Sequence, residues 1–96
     1  MEKTMNENKI IITVSGTDKV GLVANVSTLL AKHKVNIEDI KQTLMQGHFV
    51  MFMLCDIEKS ELKFKDLKNA LIEEGNKMEV EVWVQKKGIF EKMHTV

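Results

Sequence analysis

The sequence predicts a single α+β domain in which four strands and two helices follow the order β-α-β-β-α-β. Three observations predict this fold class. Two segments have apolar residues on both faces, two segments alternate or have mixed polarity, and two carry apolar residues at intervals of three and four. The chain of 96 residues is long enough for one domain, which would bury roughly 60 to 70% of its unfolded surface.

The first strand is predicted over Lys9 to Ser15, because this segment is rich in β-branched residues and is apolar on both faces, as in a central strand. Gly16 bounds it. The first helix is predicted from Leu22 to about His33 and Lys34, where basic groups suit the carboxyl end of a helix. Its apolar stripe consists of Leu22, Val23, Val26, Leu29 and Leu30.

The second strand is predicted over Val35 to Met45. Neither of its faces is cleanly apolar, so an edge position is expected, and such a strand would tolerate a bulge. Gln46 and Gly47 form the following turn. The third strand, His48 to Leu54, is apolar on both sides and is therefore expected beside the first strand in the centre of the sheet.

Ser60 is expected to cap the second helix, and Gly75 is expected to end it. Its apolar residues are Leu62, Phe64, Leu67, Ala70 and Leu71. The last strand is predicted over Met78 to Gln85 as an edge strand with one apolar face. Its inward residues are Met78, Val80, Val82 and Val84, and its outward residues are Glu79, Glu81, Trp83 and Gln85.

This order predicts a ferredoxin-like, four-stranded antiparallel sheet with both helices on one face, because right-handed crossovers return to the same side. The other face would expose apolar residues of the central strands unless something covers it. The tail has apolar residues at helical spacing that could form a short helix and clamp a neighbouring subunit, namely Ile89, Phe90, Met93 and Val96. We therefore predict a homodimer, with residues 1–8 as a disordered tail and 9–96 as one domain. Trp83 is a candidate dimer anchor.

Composition excludes several classes of function. Fourteen Lys balance fourteen Asp and Glu, and the chain has no Arg, so neither nucleic acid nor a membrane is an expected partner. An acylphosphatase would need an arginine, and a copper chaperone would need a cysteine pair. The single Cys55 favours a reducing cytoplasm and a buried inert thiol. No His or Cys cluster has metal-ligand spacing, so no metal is expected. Because the acylphosphatase pattern also fails, we predict a protein that is not an enzyme and that needs no other cofactor.

The candidate site is the segment between the first strand and the first helix. Amide groups at the start of a helix favour an anion, so a carboxylate could bind there. Asp18 could accept a hydrogen bond from an ammonium group, and Asn36, followed by Ile37 in the second strand, can donate and accept. The predicted ligand-binding residues are Gly16, Thr17, Asp18, Lys19, Val20, Gly21, Leu22, Asn36 and Ile37.

Each of these residues also has a structural explanation. Asp18 could be the N-cap of the first helix and accept from the amide of Gly21. Gly21 could allow close packing of helix against strand, and Gly16 could supply a positive φ angle. Asn36 could satisfy a turn. The structural explanation is favoured for Gly16 and Asp18, and the functional one for Asn36.

The pattern of residues around the candidate site resembles that of the ACT domain, and in particular that of short stand-alone ACT proteins related to the glycine-cleavage repressor. The shared pattern is an apolar strand, Gly16-x-Asp18-x-x-Gly21-Leu22-Val23, Ala24 and Val26 on the helix, and then Val35-Asn36-Ile37 with Asp39 and Gln42. The resemblance implies a regulatory module that binds an amino acid or a similar small ligand at a subunit interface and acts on a partner protein. In serine-binding ACT domains the contacting positions correspond to Gly16, Asp18 and Asn36. The alternative is an interaction or dimerisation module without a ligand.

Overall fold

The computed structural model describes residues 8–17 and 20–93 of the chain. The elements are β1 (Lys9–Thr17), α1 (Leu22–Lys32), β2 (Asn36–Met45), β3 (His48–Asp56), α2 (Phe64–Lys77), β4 (Glu81–Lys86) and α3 (Lys87–Met93). The predicted order β-α-β-β-α-β is confirmed, with α3 added at its end. The predicted tail, apart from Asn8, lies outside the described residues. The Asn8 carbonyl accepts a hydrogen bond from the Ile57 amide at 2.9 Å.

All strand pairs in the sheet are antiparallel, and the strand order is β2-β3-β1-β4. β1 and β3 are central, as the apolarity of both their faces predicts. β2 and β4 form the edges, and a register shift between Ile37 and Asp39 places the expected irregularity in β2. Gln46 and Gly47 both have positive φ, at 52° and 83°, which is the requirement of a two-residue hairpin turn of type I′.

The core lies between the sheet and the two long helices. Alternate residues of the central strands are buried on this inner face, where they meet the stripes of α1 and α2. No polar or charged side chain is buried among the described residues. The buried residues are Ile10, Ile12, Val14, Leu22, Val26, Leu30, Val35, Phe49, Met51, Met53, Cys55, Leu67, Leu71, Val80 and Val84.

Two glycines serve close packing, which corrects the sequence-based interpretation of both. Gly16 was expected to supply a positive φ, but it lies within β1 without one. A Cβ atom there would lie 2.8 Å from Cγ1 of Val80. Gly75 was expected to end the second helix, but α2 continues to Lys77, and a Cβ at this position would overlap Cγ2 of Val82. Both glycines let the segment from Val80 to Val82 approach closely.

The boundaries of α2 and β4 also differ from the prediction. The N-cap of α2 is Lys63, whereas Ser60 forms a separate turn in which its hydroxyl accepts from the amide of Leu62 at 3.1 Å. β4 begins at Glu81 and not at Met78, because the chain needs a turn with positive φ at Glu79 to leave the helix. Local hydrogen bonding therefore shifts both boundaries by a few residues.

The outer face of the sheet carries the helix α3. Phe52 points away from the core, and its ring meets the ring of Phe90 edge to face at a centroid distance of 6.2 Å. The tail was expected to clamp a neighbouring subunit, but Phe90 packs on the sheet of its own chain. Ile89 is exposed, and Val96 lies outside the described residues.

Candidate ligand-binding sites

The segment between β1 and α1 is open to solvent at its helix end. Gly21 is the N-cap of α1 in a left-handed conformation with φ of 83°, and its carbonyl accepts the first helical bond from Asn25 at 2.8 Å. No described side chain caps this end of the helix. Val20 is fully exposed, whereas Leu22 is buried and fixes the start of the helix in the core.

Gly21 therefore has a different role from close packing, since a Cβ atom there would meet nothing within 4 Å. Its function is to supply the left-handed backbone that other residues adopt only with strain. The N-cap expected at Asp18 is wrong, because the N-cap position belongs to Gly21. The ligand contacts predicted for Asp18 and Lys19 fall on residues outside the described ranges.

Asn36 lies in a polar cleft at the start of β2. The cleft has a volume of about 390 Å³ and is lined by Lys34, Asn36, Asp56, Glu58 and Lys59. Side chains of both charges therefore surround the carboxamide. Lys34 has a positive φ of 61°, and its ammonium group forms an ion pair with Glu61 at 3.3 Å.

One wall of this cleft is fixed by an ion-pair cluster that joins three strands. Lys9 contacts Glu38 at 2.5 Å and Asp56 at 3.1 Å. The hydrogen bond to Glu38 raises the pKa of Lys9. The pKa of Asp56 is lowered, first by the amide of Glu58, which donates to it at 2.8 Å, and then by Lys9. The charged forms of Lys9 and Asp56 are therefore both favoured in the folded protein.

The two halves of the predicted site lie at opposite ends of the sheet. Asn36 is paired with Asp56, which is opposite Lys9, whereas Thr17 at the other end of β1 is opposite His48. The eight steps from Lys9 to Thr17 span about 26 Å at the strand rise of about 3.3 Å per residue. Within one chain, the loop before α1 and the start of β2 therefore cannot contact one small ligand together.

A groove that the sequence analysis missed lies on the outer face of the sheet. It has a volume of about 480 Å³ and is lined by Ile11, Asp39, Lys41, Phe52, Met53, Leu54 and Phe90. The alternation of side chains along β2 indicated part of this groove, because it places Asp39 and Lys41 on the same face of the sheet. Only the fold of α3 back onto its own sheet gives the groove its second wall.

The cysteine and one of the histidines make contacts that support the fold. Cys55 is completely buried, which confirms the predicted burial of this thiol, and the burial raises its pKa to about 12. His48 lies 3.0 Å from the hydroxyl of Ser15 through its Nε2 atom. Across residues 8–17 and 20–93, no cluster of His, Cys, Asp or Glu could hold a metal ion. None of the helices described in these ranges has the length and apolarity that a membrane-spanning helix needs.

The described residues form two clefts of about 390 and 480 Å³, which lie within the size range of small-molecule sites. The sequence profile of the ACT domain family matches residues 8–85. The chain therefore belongs to the ACT domain family, whose members are generally regulatory modules that bind small ligands and often dimerise.

Comparisons with individual proteins agree with this family assignment. A UPF0237 protein of Clostridium acetobutylicum is 49% identical over 88 residues, which cover 92% of this chain and 99% of that protein. The solved structure of an ACT domain protein from Streptococcus pneumoniae matches with a TM-score of 0.75 and 37% identity, covering 86% of this chain and 93% of that one. A proposed glycine cleavage system transcriptional repressor has the same fold, with a TM-score of 0.70 and 20% identity over 80% of this chain and 44% of its own.

Proposed function

We propose that this protein is a non-catalytic regulatory module that binds an amino acid as a homodimer in the cytoplasm. The observation that carries the proposal is the separation of the loop before α1 from Asn36. The two lie at opposite ends of a sheet whose edge strand β2 is open. A second copy of the chain supplies the missing half of the site.

Pairing of β2 with β2 of a second copy brings the two halves together. An antiparallel pair across a two-fold axis puts Asn36 of the second copy beside Met45, at the end of the sheet where Thr17 lies. Three strand spacings of about 4.8 Å, or about 14 Å in total, then separate this Asn36 from Thr17. A ligand held by the residues after Thr17 would have to bridge this gap.

The surface of β2 supports this pairing. Its side chains Ile40, Leu44 and Met45 are 37%, 59% and 68% exposed. An open edge strand of ten residues with exposed apolar side chains is a strong template for strand addition. A homodimer would cover both the backbone groups and these side chains.

In the dimer, each predicted site residue has a chemical role. The amides that begin α1 at Gly21 and Leu22 bind the carboxylate of the ligand, helped by the helix dipole. Asp18 accepts from the ammonium group, and Asn36 of the second copy donates and accepts at the same ligand. Gly16, Thr17, Lys19, Val20 and Ile37 line the space around it. A regulated protein partner reads the ligand-bound state.

The experiment measures binding and assembly together. Sedimentation should show a dimer, and calorimetry should identify a ligand among the free amino acids. In NMR spectra that ligand should shift the amide resonances of Gly16, Gly21 and Asn36. Asn36→Ala should weaken that binding without loss of the dimer, whereas Asn69→Ala, on an exposed site of α2, serves as the matched control.

The alternative is a dimerisation module without a ligand, which the apolar surface of β2 also suits. A dimer whose loop and Asn36 amides respond to no amino acid at millimolar concentration would favour this alternative. A monomer would contradict the proposal as a whole.

A further inference from the structure

The groove on the outer face is separate from the loop site of the proposed dimer, although its Asp39 and Lys41 lie on β2, the strand of the proposed interface. Its floor is formed by Ile11, Phe52 and Leu54, which alternate with the buried residues of β1 and β3 and so point away from the core. Phe90 of α3 forms one wall through its edge-to-face contact with Phe52. The result is an apolar cleft on the face of the sheet opposite the core.

The opposite wall of the groove carries two opposite charges. Asp39 is paired with Leu54 and Lys41 with Phe52, so both project from β2 on the outer face. Two residues on the same face of a strand lie about 6.6 Å apart. The Oδ1 atom of Asp39 accepts from the amide of Ile40 at 2.9 Å, which holds the carboxylate at the rim. An apolar floor with a carboxylate and an ammonium at its rim is complementary to an apolar zwitterion.

The shape of the groove favours a small molecule over a second copy of the chain. Its volume of about 480 Å³ falls within the range of about 300 to 1,000 Å³ that is typical of small-molecule sites. The helix α3 stands on this face and is about 10 Å in diameter. A second flat sheet would meet this helix before it reached the floor.

We propose that this groove binds a small zwitterion with an aromatic or branched apolar body. The body packs between Phe52 and Phe90, the ammonium group of the ligand contacts Asp39, and its carboxylate contacts Lys41. This site is distinct from the loop site of the proposed dimer. Each site is therefore tested on its own.

The first test uses four probes and amide resonances. L-phenylalanine has the apolar body and both charges, 3-phenylpropanoate lacks the ammonium group, 2-phenylethylamine lacks the carboxylate, and L-serine lacks the apolar body. We expect L-phenylalanine to shift the amides of Asp39, Lys41, Phe52 and Phe90 at millimolar concentration. The other three probes should bind at least about tenfold more weakly, since each loses a charge-assisted contact or the apolar packing.

The second test uses variants with a matched control. Lys41→Gln should weaken L-phenylalanine about tenfold, and Phe52→Ala should remove binding, whereas Lys65→Gln on the exposed face of α2 should leave it unchanged. Thermal unfolding of each variant checks that it is folded. Deletion of residues 94–96 should leave binding unchanged, and a gain on deletion would mean that this segment is the occupant of the groove.

Three outcomes would overturn the proposal. They are unchanged groove amides with all four probes, equal binding of L-phenylalanine to Phe52→Ala and the parent protein, and a change of oligomeric state in Phe52→Ala that makes this face a subunit interface. Asn36→Ala separates the two sites. Retained L-phenylalanine shifts in that variant place the ligand in the groove, while their loss would be a fourth outcome against the proposal, because it assigns the binding to the dimer site.

Discussion

The two faces of the sheet differ in what they contribute. The inner face is closed by α1 and α2 over a continuous apolar core, in which Met51, Met53 and Cys55 of β3 are fully buried. Among the residues that the structure describes, only the short α3 covers the outer face, and Phe52 and Trp83 remain 41% and 47% exposed. The comparison teaches that one face of the same strands determines stability, while the other is available for binding.

The largest expected effect compares adjacent residues of β3. Met53→Ala should lower the free energy of unfolding by about 2 to 5 kcal/mol, because it leaves a cavity in the closed core. Phe52→Ala should cost about 1 to 2 kcal/mol, since it removes cross-strand contacts and the edge-to-face contact with Phe90 but leaves no closed cavity. Urea unfolding of both variants measures the difference. Equal losses would mean that α3 closes the outer face as completely as the long helices close the inner one.

A second effect tests how tightly β4 packs on the inner side. Gly75→Ala should destabilise the protein by about 1 to 3 kcal/mol, because the added methyl group would overlap Val82. Gly88→Ala is the matched control on α3, where a Cβ would meet nothing within 4 Å. The control should be neutral or slightly stabilising. Chemical denaturation of both variants decides this, and equal changes would contradict the close approach.

A third effect concerns the loop before α1. Gly21→Val should cost about 1 to 2 kcal/mol, because its φ of 83° strains any residue with a Cβ. The cause is the backbone conformation and not crowding of helix against strand. Asn36→Ala, on the exposed start of β2, should cost less than about 0.5 kcal/mol. Equal unfolding midpoints for the two variants would contradict this assignment.

The last expected effect, which is absent near neutral pH, is a pH dependence that comes from the buried thiol of Cys55 on the inner face. The pKa of Cys55 rises from 9.0 to about 12 in the folded protein. The protonated thiol therefore makes its full contribution to the free energy of unfolding below pH 9, and this contribution is lost as the pH rises toward 12. At pH 10 the loss amounts to about 1.4 kcal/mol. Cys55→Ala should lack this part of the alkaline decline. A thiol reagent should label Cys55 only on unfolding, and rapid labelling of the folded protein would refute its burial.

Much of the inner face could be predicted from local patterns. The stripes from Leu22 to Leu30 and from Leu67 to Leu71, and the apolarity of β1 and β3, were sufficient to predict the fold order and the central strands. The functions of the glycines were not predictable, because they depend on which atoms approach from distant parts of the chain. Val80 lies 64 positions after Gly16 in the printed sequence, and no local pattern joins the two.

The candidate site was predictable only in part. The sequence indicated the helix start at Gly21 and the carboxamide of Asn36, but not that they lie at opposite ends of one sheet, since that separation follows from strand register. The groove between β2 and α3 was missed for a similar reason. The sequence places Asp39 and Lys41 on one face of β2, but these residues line a groove only because Phe90 packs against Phe52.

By itself the sequence determined the secondary-structure order, the central and edge strands and membership of the ACT domain family, because periodicity and motif spacing are local properties. Tertiary structure alone decided how close Gly16 and Gly75 come to the segment from Val80 to Val82, where α3 packs and which polar groups share a cleft. These depend on contacts between residues far apart in the chain. Their free energies come from packing and register, which no short segment encodes.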